Sequence, residues 1–296
     1  MHIPASMLQG PICPVTLGAG VLGLALAVNS AVKTQTRPST AKFAAVTGLI
    51  FALQMLNFPI QNGTSGHLLG AMLAVSLLEI PFAILSVSLV LAVQALFFGD
   101  GGLNALGANI INMAFIGAGL CGVVKNFLLK KNVYRGAALS ISCWLSVMLA
   151  AAACSLEVAF CGAVELFKVM PAMLGVHAFI GVGEIVITVL VLSLLNVYAK
   201  AWQENERAFA AGSFVLAAVA VLISPLASSY PDGLEYVAGK LSFTEFSALN
   251  FHALFPDYQA LFLGDGAIST IAAGLMGVII VALSAYFLGK ALQEAA

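Results

Sequence analysis

The sequence predicts an all-α protein, a polytopic bundle of transmembrane helices, and its composition and apolar stretches carry that prediction. Of the 296 residues, 61% are hydrophobic and only 8% are charged, whereas soluble domains carry about 25% charged residues. The mean hydropathy is +1.04, and the apolar stretches are too long for the strands of a membrane barrel. This composition excludes a soluble enzyme, a nucleic-acid-binding protein and a disordered chain.

Nine apolar stretches are candidate spans, judged by the length of about 20 residues that a transmembrane helix needs. They are residues 14–32, 42–57, 66–79, 81–98, 103–121, 136–156, 172–198, 209–225 and 266–289. The second and third are short for a hydrocarbon core of about 30 Å. We therefore expect these two to tilt or to end inside the protein.

The basic residues predict the orientation of these spans. Ten of the twelve lysines and arginines follow the first, fifth, seventh or ninth span: Lys33, Arg37, Lys42, Lys125, Lys130, Lys131, Arg135, Lys200, Arg207 and Lys290. The positive-inside rule places those loops in the cytoplasm. With nine spans, the N-terminus then lies outside and the C-terminus inside. Residues 1–14 carry no lysine or arginine, so we expect no cleaved signal peptide and a retained Met1.

The four histidines, His2, His67, His177 and His252, all fall on the predicted outer half. An N-terminal X-His dipeptide chelates a metal by its α-amine, by the amide nitrogen of residue 2 and by the imidazole of residue 2, in adjacent five- and six-membered rings. His67 lies on the same side and would complete a square-planar set of four nitrogens, which favours Ni(II) or Cu(II). Met1, His2 and His67 are thus the candidate metal ligands. For each single histidine, a hydrogen-bonded core or interfacial residue is the alternative.

Three further residues are candidates to support those ligands. Glu184 lies inside the seventh span, seven residues after His177, so the two share a helical face. An ionisable residue within a span is a functional candidate, either as a partner of a ligating histidine or as a buried packing hydrogen bond. His177 and His252 are candidates to hydrogen-bond the ligating imidazole or to relay the ion.

The predicted outer loops are rich in acidic residues, which would concentrate cations at the entrance. They are Asp100, Asp232, Glu235, Glu245, Asp257 and Asp265; the alternative is that these are simply solvated loop charges. Asp100 and Asp265 occur in the similar segments FFGDGG and FLGDGA, each just before a span. We expect both to cap a helix and not to bind metal.

Several long motifs resemble the CbiM/NikM family. They are MHIP at 1–4, GTSGHLLG at 63–70, LFFGDGGLNALGANIINMAF at 96–115 and GVHAFIGVGE at 175–184. SPLASSYPDGLE at 224–235 and NFHALFPDY at 250–258 resemble the small accessory N component of the same systems. The resemblance implies two parts: residues 1–204, a metal-binding transmembrane domain, and residues 205–296, an N-component-like module with two spans and an outer PDGLE loop.

The resemblance implies the substrate-binding membrane component of an energy-coupling-factor transporter for cobalt and nickel, in the inner membrane of a prokaryote. The family holds its metal by the N-terminal amine, by the second residue and by a histidine after the second span, which here are Met1, His2 and His67. The family usually reads MHIPDG, whereas Ala5 and Ser6 stand here, so the metal preference is open. Ni(II) is expected first and Co(II) second, as transported substrate and with no organic cofactor.

The expected partners follow from a missing motif. The chain has no G-x-x-x-x-G-K-[ST] phosphate loop, so it is predicted to be a transporter subunit and not an ATPase or other enzyme. The resemblance implies a transmembrane coupling subunit and a pair of ATP-binding subunits. In the first span, Ala19, Gly23, Ala27 and Ala31 recur every four residues. Such ladders let helices approach closely in lipid, so this is a candidate coupling face, with packing inside the subunit as the alternative.

Two other functions stay open. A secondary-active divalent metal transporter needs a proton relay near the bilayer midplane and two related halves, and only Glu184 is a candidate relay residue. An intramembrane metalloenzyme needs a motif such as H-E-x-x-H, which does not occur. One hypothesis concerns the loop 226–265, which would cover or load the metal site.

Overall fold

The computed structural model describes the backbone of residues 2–61, 63–202, 205–243, 246 and 251–295, and the side chains of all of these except 196–202. Met1 and Glu245 lie outside the described residues. Over this part the chain forms one hairpin of two-residue strands, β1 (Phe58–Pro59) and β2 (Ser65–Gly66), and eleven α-helices. The helices are α1 (Ile12–Lys33), α2 (Thr40–Gln54), α3 (Ala71–Leu77), α4 (Ile80–Val93), α5 (Leu106–Asn109), α6 (Cys121–Lys130), α7 (Arg135–Phe160), α8 (Leu166–Trp202), α9 (Glu206–Ile223), α10 (Gly233–Leu241) and α11 (Ala267–Glu294).

The predicted all-α membrane fold is confirmed. Seven helical segments in the described part are long and apolar enough to cross a membrane: Ile12–Lys33, Ile80–Phe98, Leu106–Lys130, Arg135–Phe160, Leu166–Leu195, Glu206–Leu226 and Ala267–Glu294. Two of them contain π-helical stretches, Gln94–Phe98 after α4 and Ile110–Leu120 between α5 and α6. The two stretches that the sequence marks as short become α2, of 15 residues, and α3, of 7 residues. At 1.5 Å per residue they are about 22 and 10 Å long.

One end of the bundle, here called the histidine end, is marked by contacts of the N-terminal segment. The Sγ of Cys161, which follows α7, donates to the carbonyl of Met7 across 3.5 Å. The backbone N–H of Gly102, which follows α4, donates to the carbonyl of Ile3 across 3.0 Å. The connections after α4 and α7 therefore lie beside the N-terminus.

The opposite end, here called the basic end, contains the connections that follow α1, α3 and α8. Thr36 donates from its hydroxyl to Glu79 across 3.3 Å, and Lys125 donates to the carbonyl of Val75 across 3.2 Å. A cavity of about 500 Å³ there is lined by Thr36, Glu79, Lys125 and Glu206. Successive connections thus alternate between the two ends, and residues 67–77 join the ends as an irregular run followed by α3. The number of membrane crossings and their orientation stay predictions.

The C-terminal helices pack into the same core as the N-terminal ones. Helix α2 contacts both α9 and α11, and its residues 43–54 are buried throughout. Gly277 of α11 lies so close to α2 that a Cβ there would be 2.1 Å from the Cζ of Phe51. Only a glycine allows this approach, so α11 is fitted to α2 at the level of single atoms.

The ladder on α1 packs largely inside the subunit, which is the alternative to a coupling face that the sequence left open. Ala27 and Ala31 are buried, and a Cβ at Gly23 would be 2.5 Å from the ring of Phe115. Only Ala19 is exposed. The small residues let α1 approach its own neighbours, and its exposed surface includes the large apolar side chains Val15, Leu17, Val21, Leu22 and Leu26.

Candidate metal site

The N-terminal segment is buried at the histidine end by residues of the LFFGDGGLNALGANIINMAF motif. Asn109 accepts from the backbone N–H of Ile3 through Oδ1, across 2.9 Å, and donates from Nδ2 to the carbonyl of the same residue, across 3.3 Å. Asn104 donates from Nδ2 to the carbonyls of Ala5 and Leu8, across 3.1 and 2.6 Å. The backbone around His2 is therefore fixed on both sides of Ile3, which limits where its imidazole can lie.

The structure brings His2 and His67 together. Their rings stack in parallel, with 4.9 Å between centroids and 4° between planes, and the two residues are only 8% and 9% exposed. The Nδ1 of His67 lies 3.0 Å from the carbonyl of Leu68, to which its N–H donates. This tautomer places the ring's lone pair on Nε2, as a metal ligand requires. Metal ligation by these two residues stays a prediction, and the predicted ligand Met1 lies outside the described residues.

Glu184 holds the chain that carries His67. Its carboxylate accepts from the backbone N–H groups of Leu69 and Gly70, across 2.6 and 3.0 Å. These groups lie at the start of α3, where backbone N–H groups lack helical partners and the helix dipole favours a negative charge. Gln54 donates to the carbonyl of Leu69 across 2.8 Å. Of the two alternatives for Glu184, the described contacts match the buried hydrogen bond, since they join it to backbone and not to an imidazole.

His177 lies beneath His67 and is fully buried. Its Nδ1 is 2.8 Å from the carbonyl of Met173, whereas its Nε2 has no hydrogen-bond partner in the described part of the chain. A closed cavity of about 10 Å³ is lined by His67, His177, Asp232 and Gly233. The structure therefore places His177 next to the site. It does not bring His252 there, because that side chain is exposed and does not line the cavity at His2.

Asp100 is the main residue that sequence reasoning misassigned, because it caps no helix. Its Oδ1 lies 3.0 Å from the Nδ1 of His2, and its Oδ2 accepts from the hydroxyl of Tyr258 across 2.6 Å. Burial opposes the charged form of Asp100, but His2 and the Tyr258 hydroxyl outweigh burial and hold the pKa of this carboxyl well below its usual range. Asp265 caps no helix either, since α11 begins after Gly266 without a side-chain cap.

Asp232 and Glu235 form the start of α10 beside the histidines. Asp232 accepts from the backbone N–H of Glu235 across 2.8 Å, and Glu235 accepts from the N–H of Asp232 across 3.0 Å, which is a capping box. Burial lowers the pKa of His67, and His2 lowers it further, while Asp232 and Asp100 act in the opposite direction. The imidazole of His67 is therefore held in the neutral form that can bind a metal.

A cavity of about 370 Å³ at the histidine end contains these groups. Two histidines and four acidic residues are among its lining side chains: His2, His67, Asp100, Asp232, Glu235 and Asp257. The described site is thus acidic as well as histidine-containing, and a positive ion is favoured within it.

Part of this cavity is formed by the segment 226–265. The N–H and hydroxyl of Ser65 donate to the carbonyls of Pro231 and Tyr230, across 2.9 and 2.7 Å. The N–H of Phe255 donates to the carbonyl of Phe97 across 2.8 Å. Sequence reasoning missed Tyr258, Asn104 and Asn109, although all three stand within the motifs quoted above. The available signal was that these residues lie within the motifs. A motif does not show the side-chain partners that give each residue its role.

The helices and this site define the class of the protein: a multi-pass membrane protein with a buried, acidic histidine site at one end. A family model described as the cobalt uptake substrate-specific transmembrane region, CbiM, matches residues 2–202, and the PDGLE domain matches residues 206–294. The chain belongs to the CbiM family, as the motifs predicted. It is a transport component and not an enzyme.

Relatives of this chain include fused transport proteins. It is 34% identical over 291 residues to the putative fused nickel transport protein NikMN of Archaeoglobus fulgidus, which covers 95% of each chain. It is 31% identical over 253 residues to the probable fused nickel transport protein LarMN of Lactiplantibacillus plantarum, covering 76% of this chain and 74% of the other. The crystal structure of a truncated transition metal transporter superposes with a TM-score of 0.60 and 30% identity, over 67% of this chain and 99% of that one.

Proposed function

We propose that this protein is the substrate-specific membrane component of an ATP-driven energy-coupling-factor importer, and that it captures Ni(II) or Co(II) on the outer side of the membrane. The observation that carries the proposal is the buried pair of stacked imidazoles, His2 and His67, at an acidic cavity. Nickel is proposed as the preferred ion, because four nitrogen ligands in a plane suit Ni(II) and because the relatives from A. fulgidus and L. plantarum carry names that specify nickel.

The proposed ligands are four nitrogens: the amine and amide supplied by Met1 and His2, the imidazole of His2 and the Nε2 of His67. Acidic side chains around the cavity attract the ion. The nitrogens lose their protons as the metal binds, so binding releases protons to the solvent. His67 acts from a segment that Glu184 fixes in place, so the second imidazole is presented with little freedom of movement.

Energy for transport comes from other chains in this proposal. The sequence holds no phosphate loop for ATP, so a transmembrane coupling subunit and two ATP-binding subunits are the proposed partners. Residues 1–204 form the metal-binding part, and residues 205–296 form the module that contributes the wall of the cavity through Asp232, Glu235 and Tyr258. Uptake that persists without any ATP-binding partner would instead indicate a secondary-active transporter.

The decisive experiment compares the purified protein with a form that carries one extra glycine before Met1. The extension removes the primary amine from the chelate and leaves every side chain in place. We expect the native protein to bind one Ni(II) and the extended form to lose that ion, measured by metal content and calorimetry. His252→Ala is the matched control, because it removes an exposed histidine outside the cavity. Equal binding by the native and extended proteins would refute the amine ligand.

A further inference from the structure

Four polar groups form a hydrogen-bonded row that ends at the ring of His2. The Nε2 of Gln94 donates to the hydroxyl of Tyr258 across 3.0 Å, and that hydroxyl donates to the Oδ2 of Asp100 across 2.6 Å. The Oδ1 of Asp100 lies 3.0 Å from the Nδ1 of His2. Asp100 is thus held on one oxygen by Tyr258 and meets His2 with the other.

Tyr258 reaches this position in a backbone conformation that favours glycine. Its φ is 58°, and the φ of Asp257 before it is 51°, both in the left-handed region that side chains other than glycine rarely adopt. Such strain persists only where the surroundings enforce it. Here the ring of Tyr258 stacks on Phe98, with centroids 4.9 Å apart, and approaches Phe51 at 6.1 Å. The surrounding packing therefore stabilises a strained turn that places the hydroxyl of Tyr258 next to Asp100.

We propose that Asp100 is a positioning residue for the imidazole of His2, and that Tyr258 fixes Asp100 for this task. The C-terminal module then acts on the candidate metal site through one hydroxyl group, by way of Asp100. This inference rests on the proposed function for the role of His2 as a metal ligand and for the identity of the ion. The physical reason is that a carboxylate held against a ring nitrogen sets the tautomer and the direction of the imidazole before the ion arrives.

Asp100 holds the nitrogen of His2 at which the chelate would close. The amine–amide–imidazole chelate closes its six-membered ring at Nδ1, and in the metal-free molecule Asp100 meets that same atom. A neutral ring oriented by Asp100 carries its proton on Nδ1, and the ion replaces that proton when it binds. In the metal-free molecule Nε2 is buried without a hydrogen-bond partner among the described residues.

The first test needs no metal. In protein labelled with ¹⁵N-histidine, the nitrogen chemical shifts show which ring atom carries the proton, and His2→Gln assigns the signal. We expect a protonated Nδ1 at His2, and we expect Tyr258→Phe to shift this signal because Asp100 loses its anchor. The Phe variant keeps the ring that stacks on Phe98, so it is expected to fold. An unchanged His2 signal in Tyr258→Phe would overturn the proposal, whatever ion the protein transports.

The second test is a double-mutant cycle on nickel affinity, with Tyr286→Phe on α11 as the control for loss of a tyrosine hydroxyl in the same module. Asp100→Asn is expected to weaken binding about 10- to 100-fold, the usual effect of removing such a partner, and Tyr258→Phe about 10-fold. Because Tyr258 acts through Asp100, the double variant should bind like Asp100→Asn alone. If the fold-loss in nickel affinity of the double variant is the product of the two single losses, Tyr258 does not act through Asp100. The d–d absorption of bound Ni(II) should show the same change of geometry in both single variants.

These outcomes separate the two proposals. If glycine extension abolishes nickel binding while Tyr258→Phe behaves as the native protein does in both tests, only the present inference fails. If the native protein binds no nickel but the His2 signal responds to Tyr258→Phe, the proposed ion fails and the positioning of His2 by Asp100 stands.

Discussion

Glu184 shows at the scale of one residue how a buried carboxylate fixes the segment that carries His67 without contacting either candidate metal ligand. Its two oxygens accept from consecutive N–H groups that follow His67 by two and three residues. Because those groups begin a short helix, no other part of that helix can satisfy them. A single carboxylate therefore stabilises the start of α3 and also fixes the position of the segment that carries His67.

Replacement of Glu184 should affect stability and metal affinity together. Glu184→Ala leaves two buried N–H groups without acceptors, at about 1–3 kcal/mol each, so we expect a lower thermal midpoint in detergent and weaker nickel binding. Glu184→Gln keeps one acceptor oxygen and should lie between Ala and the native protein. The check is unfolding monitored by circular dichroism together with calorimetric nickel titration. A stable Ala variant with native affinity would show that the Leu69–Gly70 turn needs no acceptor.

Residue chemistry was the part of the site that the sequence could predict. The chelating ability of an N-terminal X-His is a property of nearby atoms, so His2 stands out without any structure, and topology adds His67. The role of Asp100 depends on His2, 98 positions earlier, and on Tyr258, 158 positions later. A sequence motif shows that such residues occur but not which residue each one contacts. FFGDGG alone therefore predicts that Asp100 caps a helix.

At the scale of elements, the length of an apolar stretch indicates whether it can form a spanning helix, whereas its hydropathy alone does not. The apolar stretch 66–79 is one of nine candidate spans in the sequence, yet only Ala71–Leu77 is helical, and residues 67–70 are irregular. A short apolar run fits an extended segment and a helix equally well. The ladder of α1 was ambiguous in a similar way, since small residues allow close packing with any helix, and the neighbours of α1 are its own chain.

The contact between α2 and α11 gives a prediction at this scale. Gly277→Leu would drive a side chain into Phe51, where even a Cβ would lie 2.1 Å away. Overpacking of this kind destabilises by about 1–3 kcal/mol, and we expect a lower thermal midpoint and weaker nickel binding as α11 shifts. Gly175→Ala in α8 is the matched control, because a Cβ at position 175 meets nothing within 4 Å. Similar thermal midpoints for the two variants would mean that α11 can move away from α2 without loss of stability.

At the scale of the whole molecule, the two family-matched regions share both a core and a cavity. Helices α9 and α11 flank α2, while Asp232, Glu235 and Tyr258 line the cavity that His2 and His67 enter. The composition predicted a membrane bundle, because burial in lipid acts on every residue of a span. It could not predict that the C-terminal module reaches the cavity of His2 and His67, since that depends on a few long-range hydrogen bonds.

This arrangement predicts that the chain can be divided but that neither part is dispensable. When residues 1–203 and 204–296 are expressed as separate chains in one cell, we expect them to copurify, because α9 and α11 retain their apolar packing against α2. Nickel uptake should be retained by the pair. Residues 1–203 alone should bind nickel more weakly, since the site then lacks the hydroxyl that holds Asp100 and the carboxylates of Asp232 and Glu235.

The measurement is pull-down through a tag on one part, followed by uptake of radioactive nickel in cells that also express the coupling and ATP-binding partners. The uncut protein and residues 1–203 alone are the controls. Copurification without uptake would show that the covalent link between the two parts is itself required. Full uptake by residues 1–203 alone would contradict a role for the module at the site, because the cavity would then function without the wall that Tyr258 and Asp232 provide.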